Sequence, residues 1–153
     1  MQNIQTRSFA GAFLRYQDEV LLIKRGMHKK ISPGLWAGIG GRMEQAEMDS
    51  PVRACLREIR EETGITAEQI ESLHLRYFTL CKLEENLDSI YYFSGVLKEK
   101  PELCETPEGE LHWIKPEEGT KLQMAPHIKA FYSHWVDNLD ADGIYGVCCE
   151  GRK

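Results

Sequence analysis

Between Ser50 and Ile65 the chain encodes a helix whose ends and faces are legible residue by residue, and its acidic stripe constrains whatever surrounds it. Ser50 is a residue type that caps helix N-termini, Pro51 suits the first helical position, and Gly64 supplies the left-handed residue after the last turn, with apolar Ile65 behind it. Within these bounds Val52, Cys55, Leu56 and Ile59 follow the i, i+3, i+4, i+7 rule and predict the buried arc. Glu58, Glu61 and Glu62 lie side by side within an arc of roughly 100°. Glu62 projects at the edge of the apolar arc, next to Cys55, where a carboxylate is partly desolvated. Three like charges on one surface repel unless a cation sits among them, and hard carboxylate oxygens suit Mg²⁺ or Mn²⁺. A merely solvated charged face is the competing explanation, and the phase of Glu62 argues against it.

The residues ahead of this helix extend the pattern. Gly41 and Glu47, followed by Arg57-Glu58-Ile59, Glu61-Glu62, Gly64 and Ile65, closely resemble the Nudix box: Gly, five residues, Glu, seven residues, Arg-Glu-aliphatic-x-Glu-Glu-x-Gly-aliphatic. Two departures are visible. Nine residues instead of seven separate Glu47 from Arg57, so Met48-Asp49 is a two-residue insertion just before the N-cap, and Ile39 stands where many members carry proline. Both lie in the loop, so they bear on loop shape and substrate fit more than on metal binding. The box covers about a sixth of the chain, and the flanking segments agree with the family in general pattern only.

A chain of 153 residues with 42% hydrophobic content can bury one sizeable core. We expect a single domain over residues 1–140 and a C-terminal tail over 141–153. The net charge of −5 argues against general binding to nucleic acid or anionic membranes, which would require a basic face. The five cysteines are odd in number and lack a C-x-x-C pair, and neither a signal peptide nor an apolar run near eighteen residues is evident. Reduced thiols in a cytoplasmic protein are therefore expected, with Cys148-Cys149 an incidental vicinal pair in the tail.

Strand and helix patterns alternate along the chain. Ser8 to Tyr16 and Val20 to Lys24 predict a hairpin around the polar turn Gln17-Asp18-Glu19. A polar loop with His28, Lys29 and Lys30 follows, and Trp36 introduces the glycine-rich approach to the helix. Thr66-Ala67-Glu68-Gln69 has the form of a capping box. Strands are predicted over Leu73 to Leu83, Asp88 to Leu97 and Glu110 to Ile114, then a last helix from Pro126 to about Asn138. Mixed strands with two helices imply an α/β sandwich, which the resemblance sharpens to the α-β-α Nudix sandwich with a mixed sheet.

Diphosphate linkages are stable and highly charged, so their hydrolysis needs neutralised oxygens and a positioned water, and clustered glutamates holding Mg²⁺ supply both. The resemblance implies Glu58, Glu61 and Glu62 as ligands, with the Gly41 carbonyl adding an oxygen. Glu47 either ligates a second ion or holds Arg57, whose planar donors suit bidentate pairing with a carboxylate. In relatives the general base comes from the box or from a distal loop, for which Glu108 and Glu110 are the candidates here. Lys24, Arg25 and Arg42 lie where the family meets its phosphates. MutT-like enzymes that select oxidised guanine use an amide ahead of the final helix, and Gln123 is near that position without being clearly in register. The resemblance implies a Mg²⁺-dependent pyrophosphohydrolase, monomeric or homodimeric, that cleaves a nucleoside diphosphate linked to another group. A nucleoside triphosphate, oxidised or not, is the expected substrate, ADP-ribose or a nucleotide sugar the runner-up, and a non-catalytic nucleotide sensor the rival from another class.

Overall fold

The computed structural model describes residues 3–150. Its frame is a mixed sheet of eight strands. Strand β1 (Gln5–Tyr16) turns back into β2 (Glu19–Arg25) at the predicted hairpin, where Gln17 takes a φ of 52°. The glycine-rich approach then forms two short strands, β3 (Trp36–Ala37) and β4 (Ile39–Arg42). After the first long helix, α1 (Pro51–Thr63), come β5 (Ile70–Leu83), β6 (Asn86–Leu97) and β7 (Gly109–Ile114). A single turn, α2 (Pro116–Gly119), precedes the last helix α3 (Pro126–Asp137), and β8 (Tyr145–Glu150) closes the fold. The main path runs β3-β2-β1-β6-β5-β8, with β4 beside β1 and β7 beside β2. Of these pairings β1·β6 and β5·β8 are parallel.

β1 is buried without interruption from Ala10 to Leu14, a run that period-2 alternation produces only when both faces are covered. Helix α3 covers one of them. Its Phe131, Tyr132 and Trp135 gather on Phe13, with ring centroids 6.1, 5.4 and 4.4 Å away, and Phe131 stacks on Tyr77 at 4.3 Å. Each such ring pair is worth about 0.5–1.5 kcal/mol beyond its buried area. Helix α1 packs against β1 and β4 and covers the other face, which gives the sandwich expected from the sequence.

The bounds of α1 fall where the sequence puts them, but two details differ. Ser50 occupies the N-cap position without a side-chain capping bond. The buried arc holds Ala54, Cys55, Ile59, Glu62 and Thr63, whereas Val52 is 41% exposed: the packed stripe is rotated toward Ala54 by contact with β1 and β4. At the other end Gly64 takes a φ of 80° and its N–H donates to the Arg60 carbonyl, as a left-handed cap requires. The Thr66 capping box forms, with the Thr66 N–H donating to Gln69 Oε1 at 2.9 Å.

The expected tail is corrected in part. Residues 145–150 add an edge strand parallel to β5, with Tyr145 opposite Tyr77 and Cys149 opposite Cys81. Alternation sends the vicinal cysteines to opposite sides: Cys148 is exposed, while Cys149 turns toward Cys81, and burial raises its thiol pKa to about 12. All five cysteines are free thiols.

Candidate active site

The site forms where β4 runs antiparallel to β1, with Gly40 opposite Gly11 and Gly41 opposite Ala10, beneath the C-terminal half of α1. Gly41 is required by what lies over it. A Cβ built there would stand 2.6 Å from Glu58 Oε2, so a side chain would occupy the space of the Glu58 carboxylate. Backbone and carboxylate meet here because nothing intervenes.

Arg57 organises the acids on the outer side of the helix. Its Nε and Nη2 donate to the two oxygens of Glu47 at 2.7 and 2.9 Å, its Nη1 reaches Glu58 at 2.8 Å and Glu61 at 3.0 Å, and Nη2 also meets the Arg42 carbonyl at 3.1 Å. One planar fork thereby ties the box loop to the helix, a task that a point charge does not perform. The hydrogen bonds from Arg57 hold the Glu47 carboxyl down at about 2, helped by the Glu44 N–H, which donates at 2.9 Å. Of the two roles open to Glu47 in the sequence, holding Arg57 is the one its geometry satisfies. The Met48-Asp49 insertion follows the short turn Gln45–Glu47 and leaves this pairing intact.

The inner acids behave differently. Glu62 is buried at 7% exposure, and burial, then Glu58, then Glu108 raise its carboxyl pKa to about 8. Burial also raises Glu58, against the opposing pull of Arg57. Glu58, Glu62 and Glu108 line one cavity of about 310 Å³. Glu61 does not join them; it leans onto Arg57 with its side chain 58% exposed. Among the described residues no three acidic, histidine or cysteine side chains converge tightly enough to form a ready cation cage. Arg57 instead pairs with both Glu58 and Glu61.

The cavity also carries basic side chains. Arg25, Lys29 and Arg42 line it together with the three acids. Lys29 pairs with Glu108, and Arg25 Nε donates to the Ile31 carbonyl at 2.9 Å. Six sequence-predicted residues do not line it: besides Glu47, Arg57 and Glu61 on the outer side of the helix and Gln123, Lys24 is exposed and Glu110 pairs at 3.3 Å with His112 on the outside of β7. Gln123 is exposed as well, and its backbone carbonyl accepts from the Trp36 N–H at 2.9 Å.

Three basic lining residues went unassigned in the sequence, namely Arg7, Lys29 and His127. The signal for Arg7 was available, because alternation puts it on the same face as Phe9 and Gly11. Arg7 makes a two-pronged pair with Asp88, 2.8 Å on each prong. His127, at the start of α3, carried no spacing signal. Its burial, with Arg25 nearby, lowers its pKa to about 4. Arg7, Phe9, Ile31, Ile90 and His127 are shared with a second, more apolar chamber of about 510 Å³ that adds Leu35, Cys81, Leu83 and Pro126. A charged cleft thus opens directly into an apolar one.

A model of the NUDIX domain matches residues 5–135. Among solved structures, the MutT protein of Bacillus halodurans is 26% identical, with a TM-score of 0.69 over 92% of this chain and 86% of that one. The MutT protein of Methanosarcina mazei Go1 superposes with a TM-score of 0.76 at 21% identity, over 92% of this chain and 100% of that one. The C. elegans Ap4A hydrolase, solved as a binary complex, gives a TM-score of 0.72 at 19% identity over 87% and 97% of the two chains. The last two show a common fold.

Proposed function

We propose that this chain, which belongs to the Nudix family and is a hydrolase of phosphoanhydride bonds, uses Mg²⁺ to split a nucleoside triphosphate into a monophosphate and pyrophosphate. The observation that carries the reading is the juxtaposition of three glutamates with Arg25, Lys29 and Arg42 in one cavity that opens into an apolar chamber. Acids suit a divalent cation, bases suit the polyphosphate, and the apolar walls suit a nucleoside. A triphosphate spans all three.

The donor set fits Mg²⁺ or Mn²⁺. Glu58 and Glu62 carry hard oxygens, and the raised carboxyl pKa values record mutual repulsion and burial that a cation would relieve. Glu58, Glu62 and the Gly41 carbonyl would hold the ion, with Glu61 joining when released from Arg57. When bound, the ion neutralises phosphate oxygens and lowers the pKa of coordinated water. Arg25, Lys29 and Arg42 bind phosphate oxygens. Arg57 keeps Glu58 in place while pinned by Glu47. Glu108 is the acid of the distal loop that faces the cavity, and its location favours it over Glu110 as the acceptor of the proton from water. The exposed Gln123 lends no support to selection of oxidised guanine through its amide.

The test is a turnover panel with purified protein: nucleoside triphosphates, oxidised dNTPs, ADP-ribose, nucleotide sugars and dinucleoside polyphosphates, each with Mg²⁺. The proposal expects highest kcat/KM on a triphosphate, with pyrophosphate as product. Preference for ADP-ribose or a dinucleoside polyphosphate would reassign the substrate. No turnover on any member would favour a nucleotide sensor.

A further inference from the structure

Arg7 stands where the cleft opens into the apolar chamber, and it lines both cavities. Register puts it there. β1 and β6 run parallel with Arg7 opposite Asp88 and Phe9 opposite Ile90, so alternation turns these four side chains to one face of the sheet. All four line the chamber of about 510 Å³.

The ion pair is made side-on. Arg7 Nε and Nη2 donate to different Asp88 oxygens, each at 2.8 Å. A guanidinium gripped by that edge keeps a second one, on which an N–H of Nη1 and the remaining N–H of Nη2 point the same way. This fork has no partner among the described residues. It is also accessible: the buried side-chain polar atoms that lack a partner belong to Arg15, Arg76 and Thr79, and Arg7 Nη1 is not one of them. Asp88 fixes the direction of the fork, and the guanidinium lies over the Phe9 ring, 5.6 Å from its centroid. Donors held in place in this way recognise a ligand at little entropic cost.

The surroundings select the ligand. Arg25, Lys29 and Arg42 line the cleft and not the chamber, whereas Arg7 lines both. Buried Asp88 cancels the charge of Arg7 locally, so the pair offers two directed donors rather than a net cation. Leu35, Leu83 and Pro126 make the chamber walls apolar, which suits a flat base. Of the common bases guanine alone carries two acceptors side by side on its outer edge, the carbonyl O6 and the ring N7, and an arginine fork meets that edge bidentately. Adenine has a donor in place of O6. Oxidation at C8 puts a hydrogen on N7 and turns that acceptor into a donor as well. From this geometry we propose that Arg7 is a specificity-determining residue that reads guanine, so that the substrate is a guanosine nucleotide with an unoxidised base. The inference rests on the nucleotide-hydrolase reading of the cleft.

The test changes the ligand before the protein. Calorimetric titration of the full chain compares GMP, IMP, AMP and 7-deaza-GMP, and kcat/KM is measured on the matching triphosphates and on 8-oxo-GTP with Mg²⁺. GMP and IMP, which share O6 and N7, bind alike and about 10-fold or more tighter than AMP and 7-deaza-GMP, the scale of one bidentate contact, and kcat/KM follows the same order with 8-oxo-GTP among the poor substrates. Arg7→Lys keeps a charge for Asp88 but has no fork, and it brings the ratio of GMP to 7-deaza-GMP binding close to one. Arg7→Gln combined with Asp88→Asn does the same without leaving an unpaired charge, which guards against a folding defect in a single variant. GMP that binds no better than 7-deaza-GMP, a guanine preference that survives in both variants, or an equal loss on every nucleotide when the fork is removed overturns the proposal; the last outcome makes Arg7 a phosphate contact. The two readings fail separately. Triphosphate turnover without guanine preference sinks this one alone, and fork-dependent GMP binding without any turnover sinks the hydrolase reading while Arg7 keeps its role.

Discussion

Gly41→Ala separates a site defect from a folding defect. The added Cβ would stand 2.6, 2.7 and 2.8 Å from Glu58 Oε2, Cδ and Oε1, so the carboxylate must retreat by roughly 0.8 Å to reach ordinary contact at about 3.4 Å. The obstacle is the end of a flexible side chain, and Gly41 has no positive φ, so the fold loses less than about 1 kcal/mol. Catalysis is less tolerant. Displacing a key group by about 1 Å costs on the order of 10²-fold in rate. Gly64→Ala is the mirror case: its φ of 80° strains any L side chain, at about 1–2 kcal/mol, and the position lies outside the cavity. Melting temperature and kcat, measured on both variants with the substrate that the wild type turns over, should cross over. Gly41→Ala loses about 10²-fold in kcat with little change in Tm, and Gly64→Ala loses several degrees with kcat retained. Full activity in Gly41→Ala would refute the idea that contact between Gly41 and Glu58 sets the reacting geometry.

Arg57→Lys keeps the charge but cannot hold Glu47, Glu58 and Glu61 together; it should cost about 2–3 kcal/mol in denaturant unfolding and at least ~10-fold in kcat, whereas a Tm and kcat equal to wild type would reduce the fork to a surface ion pair. Turnover should vanish with EDTA and return with Mg²⁺, and Glu62→Gln should lose at least ~10²-fold in kcat with the fold retained, as circular dichroism would report. His127 has a folded pKa of about 4 against an ordinary value of 6.5, so the unfolded chain binds its proton first as pH falls. Its contribution makes stability rise with pH between about 4 and 6.5, and His127→Gln should flatten that part of a Tm-versus-pH curve; an unchanged slope would show that the ring is not buried neutral.

What the sequence revealed tracks the range of the forces involved. Helix α1 was legible to the residue because caps and period are local properties, and the burial of Glu62 followed from phase alone. The exposure of Val52 was not, because the choice between Val52 and Ala54 depends on where β1 and β4 press against the helix. Strand β8 escaped for the same reason: residues 145–150 carry weak alternation, and their strand state depends on an edge of β5 about seventy residues away. Glu108 and Glu110 looked equivalent as loop acids. Their separation into one cavity-facing and one outward-facing residue follows from how β7 pairs with β2. Glu61 was a candidate from the helix stripe and the box, Lys24 from where the family meets its phosphates and Gln123 from nearness to the final helix, and the packed chain turns each of them to solvent or to Arg57.

The parallel pairing of β1 with β6 has a kinetic consequence. Arg7 and Asp88, one of its cross-strand pairs, are 81 residues apart in sequence. No hairpin can bring such strands together, so folding must close a long loop before that contact returns any energy, which slows the search by comparison with helical proteins of equal size. The proposed catalytic cleft draws on β1, β6 and both long helices, so it comes into existence with the last of these events. A chain emerging from the ribosome cannot assemble the cleft before β6 has been made.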